Sequence, residues 1–165
     1  MEIFEYLSKI FPPEISLFIV SMIPIIELRG AIPIGHALNI NPIVTYIICV
    51  LGNMLPVPFI LLFIKQILKW MSKSKIKLFN KISNYLIDKA YKRKDKVNKY
   101  SLLGLFVFVA IPAPGTGAWT GALIAAVTGM RFKKSFFSIL FGVMAAGIIV
   151  TIIAYLFFET LGFLL

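Results

Sequence analysis

Cysteine and histidine are almost absent from this chain, since each occurs only once, as Cys49 and His36. A single cysteine inside an apolar run excludes a disulfide framework and a Cys/His metal cluster. Acidic residues are also scarce, with seven in 165 positions, and they form no credible catalytic set with a serine and the one histidine. Neither a phosphate-binding loop nor an HExxH motif occurs. We therefore expect no enzymatic activity and no bound metal or cofactor.

Charged residues make up only 15% of the chain, whereas hydrophobic residues make up 59% and the mean hydropathy is +0.92. Soluble domains are typically about 45–50% apolar, so the composition predicts an integral membrane protein with one domain over residues 1–165. Residues 1–14, with three glutamates and one lysine, do not resemble a cleaved signal peptide and are expected to lie at the interface. A chain this short is too small to enclose a wide pore alone, so we expect a homodimer.

Lysine and arginine are concentrated in one block. Residues 65–99 contain twelve of them against Asp88 and Asp95, a net charge of +10, so the rest of the chain is neutral. A soluble nucleic-acid-binding protein can carry such a block, but between membrane segments it is typical of a cytoplasmic loop. Apolar residues recur at helical spacing within 72–98. This pattern predicts an amphipathic helix on the anionic headgroups of the inner leaflet, with no nucleic acid partner.

Two segments are long and apolar enough to cross a bilayer in the ordinary way. Residues 43–64 and 135–158 carry no charge, and a spanning helix needs about 20 residues. Pro56 and Pro58 interrupt the hydrogen bonding of the first span. Either a simple kink or a bend that lines a cavity is consistent with these two prolines.

Two further apolar stretches are interrupted by helix-breaking sequence, at residues 26–35 and 111–119. Each arm is roughly a dozen residues long, too short to cross a ~30 Å hydrocarbon core at 1.5 Å per residue. Non-helical backbone at membrane depth must be buried in protein or line a cavity. The interruptions therefore predict two re-entrant hairpins, over residues 15–40 and 102–130.

The basic clusters determine the predicted topology. Loop 65–99 and residues 131–134 flank the second hairpin, and both should stay in the cytoplasm, which only a returning hairpin allows. The first hairpin and both chain termini are then expected outside. The predicted fold is all-α: two inverted-topology repeats, each a re-entrant helical hairpin followed by one transmembrane helix, joined by a basic amphipathic cytoplasmic helix.

Internal sequence similarity agrees with a repeat. Residues 23–31 resemble 111–118 at an offset of 88, and residues 51–54 resemble 141–144 at an offset of 90. Two residues must therefore be inserted between the two matches. Apolar sequences produce such matches by chance, so their value lies in their agreement with the charge pattern.

Glu27 and Arg29 are the most informative side chains because both fall at the expected tip of the first hairpin. A charge at the bilayer centre costs about 2.5–3.5 kcal/mol on insertion scales, and such residues are usually paired and functional. Glu27 is a candidate for proton exchange, and Arg29 for holding a phosphate or steadying Glu27. Gly30, Pro33 and Gly35 open the backbone beside them. The alternative is a shallow hairpin whose charges reach the outer headgroups.

Other candidates are polar or break a helix. His36 is either a proton relay or a polar boundary residue. Asn53 is either a substrate contact or a clamp that hydrogen-bonds across the hairpins. The second hairpin has no charge at its tip, so it would offer backbone amides, hydroxyls and an aromatic face that could equally serve packing. Its candidate substrate-binding residues are Pro112, Pro114, Gly115, Thr116, Gly117 and Trp119.

The chain resembles the small multidrug export family, on the motifs ELRGAIPIG at residues 27–35 and PAPGTG at 112–117. It also distantly resembles the DedA, or VTT-domain, superfamily. That resemblance implies two inverted re-entrant hairpins and transport of lipid-linked phosphates with proton coupling. The superfamily has an acidic residue ahead of Pro-x-Gly, which Glu27 and residues 33–35 match. Its second hairpin has arginines around Pro-Gly, and this chain has none there.

These observations predict a proton-coupled secondary transporter that moves an amphipathic substrate through a midplane site between the two hairpins. A lipid-linked phosphate and a hydrophobic drug-like molecule are rival substrates: Arg29 favours an anion, whereas Glu27 with Trp119 suits a cation. Two other functions remain open. One is a passive pore or lipid scramblase, and the other is a membrane interaction protein that does not transport.

Overall fold

The computed structural model describes residues 2–73, 77–98, 102–113 and 115–164, and every regular element in these ranges is an α-helix. The prediction of an all-α protein is therefore confirmed for this part of the chain. The helices are α1 (Glu2–Ser8), α2 (Pro13–Met22), α3 (Glu27–Ala37), α4 (Pro42–Met54), α5 (Pro56–Ser72), α6 (Lys77–Asn98), α7 (Leu102–Ala110), α8 (Ala118–Val127) and α9 (Phe132–Leu164).

The chain forms two compact units. The first comprises Met1–Leu55 together with Val143–Leu165, and the second comprises Pro56–Gly142. In the first unit α2, α3 and α4 contact one another, and α1 contacts α2. The core between them contains the fully buried side chains of Leu17, Val20 and Leu28.

Proline and asparagine begin the helices of the first unit. Pro13 and Pro42 occupy first-turn positions, where the missing amide proton costs nothing. The Asn41 side chain caps α4 by accepting from the amides of Ile43 (2.9 Å) and Val44 (3.4 Å). Later in the chain, the Tyr46 hydroxyl of α4 donates to the carbonyl of Met144 in α9 (3.1 Å).

In the second unit, α7 and α8 contact each other, α5 packs on α8, and α6 contacts α5, α7 and α8. The basic helix therefore has a face buried in protein. The Ser83 hydroxyl is buried and donates to the carbonyl of Leu68 (2.8 Å), and the Trp70 and Phe79 rings lie 6.0 Å apart between centroids. The sequence predicted an amphipathic helix over 72–98, and α6 forms most of it at Lys77–Asn98.

The same local arrangements occur in both units. Two residues after α3 ends, Asn39 has a positive φ (+56°), and two residues after α8 ends, Gly129 does as well (+75°). In each case the next amide closes the turn onto the helix, with Ile40 donating to the carbonyl of Gly35 (3.1 Å) and Met130 to that of Ala125 (2.9 Å). These residues match in pairs at the offset of 90 found in the sequence.

Close helix contacts also recur. A methyl group added to Gly52 of α4 would lie 2.5 Å from the carbonyl oxygen of Phe18 in α2. One added to Gly142 of α9 would lie 2.9 Å from the carbonyl oxygen of Phe106 in α7. Both distances are too short for a real side chain, so glycine permits each pair of helices to touch.

Two stretches are long and apolar enough to cross a membrane: Pro42–Ser72, 31 residues with mean hydropathy 2.5, and Phe132–Ala154, 23 residues with mean hydropathy 2.6. They include the predicted spans 43–64 and most of 135–158. Leu55, between α4 and α5, keeps helical dihedral angles (φ −57°, ψ −45°). The interruption there is a loss of hydrogen bonds at Pro56 and Pro58, because neither has an amide proton.

The predicted position of the first interruption was wrong. Residues 26–35 were expected to be non-helical, but α3 begins at Glu27 and continues through Gly30, Pro33 and Gly35. The break lies at residues 23–26, where Pro24 follows an extended Ile23 (φ −73°, ψ 127°). An extended residue before proline is the expected conformation, and it ends α2. Pro33 costs α3 one hydrogen bond, which its packing against α2 and α4 outweighs.

Candidate functional site

Glu27 opens α3 in an unusual conformation. Its φ is +52°, a left-handed value that residues other than glycine, asparagine and aspartate rarely adopt. Its side chain is only 5% exposed, although it carries a carboxylate. Its amide donates to the carbonyl of Ile23 (2.9 Å), which closes the turn between α2 and α3. Both backbone strain and a buried charge are therefore concentrated at this residue.

Arg29 follows in the first turn of the same helix and is partly buried. Its guanidinium interacts electrostatically with the Glu27 carboxylate. The carboxylate also lies at the N-terminal end of α3, where the helix dipole favours negative charge. The structure thus brings together the two charged residues singled out in the sequence, on one turn next to the break.

Gly30, Pro33 and Gly35 lie inside α3 and shape its packing. A methyl group at Gly30 would lie 2.5 Å from Cγ2 of Ile26, and one at Gly35 would lie 2.5 Å from Cγ2 of Thr45. The two glycines therefore let α3 sit close to the break and to α4. Pro33 has no amide proton, so the carbonyl of Arg29 cannot accept its usual bond from residue 33.

His36 lies at the other end of α3, about 13–14 Å along the axis from Glu27 at 1.5 Å per residue. It lines a small cavity of about 10 Å³ with Thr45 and Thr151, among others. Thr45 is 2% exposed, and its hydroxyl oxygen has no hydrogen-bond partner among the described residues. Sequence reasoning missed this cavity, because Thr45 and Thr151 come together only in the folded unit.

Asn53 is 1% exposed in α4, and its Oδ1 has no hydrogen-bond partner among the described residues. It directly follows Gly52, which touches α2 at Phe18 and Ser21. Since α2 ends at Met22, Asn53 lies at the depth where that helix stops. The unit thus contains a buried amide oxygen able to accept a hydrogen bond near the break.

The second interrupted segment is non-helical at residues 111–113 and 115–117, whereas the prediction was 111–119, because α8 already begins at Ala118. Gly115 (φ +77°) and Gly117 (φ +125°) use left-handed backbone that side chains disfavour. The Thr116 Oγ1 lies 2.7 Å from the carbonyl oxygens of both Ile111 and Ala113, so its hydroxyl closes the loop internally.

The other candidates of this hairpin lie around the loop. Gly117 is buried and caps α8, and Trp119 is half-buried in the first turn of that helix. Pro112 is half-buried within the loop, whereas Pro114 lies outside the described residues. Hence the tip offers mainly glycine backbone and a hydroxyl that is already bonded within the loop.

In chemical terms, the start of α3 combines one buried carboxylate and one guanidinium beside the break after α2. Such a pair can exchange a proton at the acid or bind a charged group at either member. Among residues 2–73, 77–98, 102–113 and 115–164, no three His, Cys, Asp or Glu side chains lie close enough to hold a metal ion.

Residues 27–149, about three quarters of the chain, match the family described as "Putative small multi-drug export protein". No curated protein and no solved structure matches the chain significantly. The family match begins at Glu27, the first residue of the charged turn and directly after the first break, and it includes the second interrupted segment. Together with two helices able to cross a membrane, it indicates a membrane protein. The chain belongs to the small multi-drug export protein family.

Proposed function

We propose that the protein is a proton-coupled secondary transporter that exports amphipathic molecules, with Glu27 as the proton-exchanging group. The observation that carries this proposal is the combination found at Glu27: a nearly buried carboxylate, a left-handed backbone, and an arginine on the same turn. Backbone strain persists where surrounding structure enforces it, and it concentrates at ligand sites and switches. The family's description as an export protein supports the same assignment.

The proposed coupling uses the change in charge of this pair. When Glu27 is protonated, Arg29 is left as a net positive charge. When Glu27 is ionised, the pair is neutral. A proton therefore competes with a cationic substrate group for Glu27, which is the condition for exchange of one for the other. The same proton favours an anionic group at Arg29, which would then move together with it. Arg29 selects an anionic headgroup, such as that of a lipid-linked phosphate, whereas Glu27 selects a hydrophobic cation.

Transport into proteoliposomes under an imposed pH gradient tests this proposal. The probes are a fluorescent hydrophobic cation and an isoprenoid phosphate, measured with Glu27→Gln, Arg29→Lys and the matched control Glu14→Gln, whose side chain is exposed. We expect Glu27→Gln to lose its dependence on the gradient and Glu14→Gln to behave as the unmodified protein. If Glu27→Gln and Arg29→Lys both transport normally, this site assignment is wrong.

The same assay separates the alternatives. A passive pore or a lipid scramblase would give flux that survives collapse of the proton gradient by a protonophore. An interaction protein would give no flux with either probe. Only a gradient-dependent flux that requires Glu27 supports the transporter.

We also propose that each interrupted segment is a re-entrant hairpin and that the chain contains two repeats. Arm length supports the first point, because α2, α3, α7 and α8 have 9–11 residues each and so measure about 14–17 Å, half of a ~30 Å core. The matching turns at Asn39 and Gly129 and the matching contacts of Gly52 and Gly142 support the second. Opposite entry of the two hairpins, and a common site formed by both tips, stay predictions from the sequence.

Labelling of single cysteines introduced at positions 25 and 115 tests the hairpins, in a Cys49→Ser background. Ile25 is 92% exposed and Gly115 is exposed, so neither position is covered by the protein itself. Opposite entry predicts that membrane-impermeant reagents reach the two positions only from opposite sides. Labelling of residues 70 and 132 from different sides would refute the topology.

The basic helix α6 is proposed to contact the anionic inner leaflet through its exposed face. Leu78 (61% exposed), Ile82 (39%) and Tyr85 (62%) recur at i, i+4 and i+7, with exposed Lys77 and Lys81 beside them. An apolar stripe flanked by lysines is the pattern of an interfacial helix.

An environment-sensitive fluorophore measures that contact. Attached at Ile82→Cys in the Cys49→Ser protein, it should emit at shorter wavelength in anionic than in zwitterionic proteoliposomes. The control position is Asp88→Cys, which is exposed but lies off the apolar stripe. Equal emission in both lipids at position 82 would argue against the proposal.

A further inference from the structure

An apolar groove of about 550 Å³ lies between α7 and the first part of α9, within the second unit. Its walls include Phe106 of α7 and Phe141 of α9, together with exposed apolar side chains at Leu103 (66%) and Phe137 (54%). The hydroxyl of Ser138, which also lines it, donates to the carbonyl of Leu102. The polar atoms of its floor are therefore satisfied within the protein, and the surface offered to an occupant is hydrocarbon.

Two lysines lie at one end of this groove. Lys133 and Lys134 belong to its lining and are exposed, in the first turn of α9. Ser138 is level with the first residue of α7, and the lysines precede it by four and five residues. They therefore extend about 6–8 Å beyond the start of α7. Phe141 lies about 12 Å from the lysines in the other direction, so the groove runs from charge to hydrocarbon along the helix axis.

Neither lysine forms an ion pair with a residue in the part of the chain that the structure describes. In addition, the lysines lie at the N-terminal end of α9, where the helix dipole adds positive potential. A second copy of the chain is a poor occupant. A symmetric contact through this groove would bring the lysines of both copies together.

We propose that this groove binds one anionic phospholipid, with an acyl chain along Phe106, Phe137 and Phe141 and the phosphate at Lys133 and Lys134. The occupant is defined by complementarity at both ends, since a zwitterionic lipid would match the hydrocarbon but not the two uncompensated charges. This site is separate from the Glu27 turn and does not depend on the transport proposal. It gives the cytoplasmic basic cluster predicted at residues 131–134 a specific ligand.

Photo-crosslinking in proteoliposomes tests the site. Phosphatidylglycerol and phosphatidylcholine with the same photoreactive acyl chain are compared on the full chain, and the crosslinked peptides are identified by mass spectrometry. The variant is Lys133→Gln/Lys134→Gln. The control is Lys65→Gln/Lys69→Gln, which removes the same charge from exposed lysines outside the groove.

We expect the phosphatidylglycerol probe to label residues 102–106 and 137–141 in preference to the phosphatidylcholine probe. At about 1 kcal/mol per lysine, the double variant should lower this labelling up to about thirtyfold, and the control should not. Equal labelling by both probes on the unmodified chain would mean that the groove is ordinary lipid-facing surface, and this comparison needs no variant to fold. Labelling that is unchanged after both lysines are replaced would also overturn the proposal. Protein–protein crosslinks at the groove would overturn it as well.

Discussion

The left-handed backbone of Glu27 makes a prediction in which two variants differ in stability although both lose function. Two separate variants are compared, Glu27→Ala and Glu27→Gly. Both remove the carboxylate and leave Arg29 without its electrostatic partner, so the two variants differ only in a methyl group at a residue with φ of +52°. Comparing them isolates the backbone strain from the loss of the charge.

The magnitude follows from two opposing terms. A left-handed L residue costs roughly 1–2 kcal/mol, which glycine avoids. Glycine loses more chain entropy on folding, which makes the glycine variant less stable than the alanine variant by roughly 0.5–1 kcal/mol. We therefore expect Glu27→Gly to be more stable than Glu27→Ala by about 0.5–1 kcal/mol, although both lose gradient-dependent transport.

Reversible unfolding in mixed detergent micelles measures this difference, with transport assayed on the same preparations. The matched control is Gly117→Ala, at the residue that precedes α8. With φ of +125°, Gly117 occupies backbone that is almost confined to glycine, so alanine there should cost about 1–2 kcal/mol. A Glu27→Ala protein as stable as Glu27→Gly would show that the strain is no larger than the entropy cost of glycine, about 0.5–1 kcal/mol, and the argument from strain to function would fail.

Three further predictions concern one close helix contact and two hydrogen-bonded side chains, and each is checked by the same unfolding measurement. Gly52→Ala should cost about 1–3 kcal/mol because its methyl group meets the carbonyl oxygen of Phe18 at 2.5 Å, and an unchanged stability would mean that α2 and α4 do not touch there. Thr116→Val should cost about 1–3 kcal/mol by removing the hydroxyl that closes its loop, and Thr116→Ser should restore most of it. Tyr46→Phe should cost about 0.5–1.5 kcal/mol through the lost bond to the Met144 carbonyl, and no loss would argue against that contact.

The second interruption could be predicted from the sequence because its residues leave few choices. Gly115 and Gly117 adopt positive φ, and Pro112 and Pro114 precede them in the chain, so a continuous helix cannot form there. The first interruption was misplaced because Gly30 and Gly35 look like helix breakers in isolation. In the folded unit the missing side chain of Gly30 leaves room for Ile26 one turn earlier, and that of Gly35 lets α3 approach Thr45 of α4. The second is a tertiary contact that local propensity does not reveal.

The candidate site also combines residues that the sequence identified with features that only the structure shows. Charge in an apolar segment was enough to single out Glu27 and Arg29, because its cost in a membrane does not depend on the fold. The positive φ of Glu27 could not be foreseen, since glutamate has no preference for it. Nor could the cavity at His36, because it needs Thr45 and Thr151 to converge from helices separated by about a hundred positions in the chain.

The difference between the two units bears most directly on mechanism. Where the chain turns back into α8, Gly117 provides positive φ at little cost. At the start of α3 the chain instead carries Glu27, which keeps both a strained backbone and a nearly buried carboxylate. A turn that needed only its geometry would be served better by glycine in both units. The glutamate is therefore explained by its side chain, and the transport proposal accordingly assigns the proton or substrate chemistry to the first unit and a similar framework without it to the second.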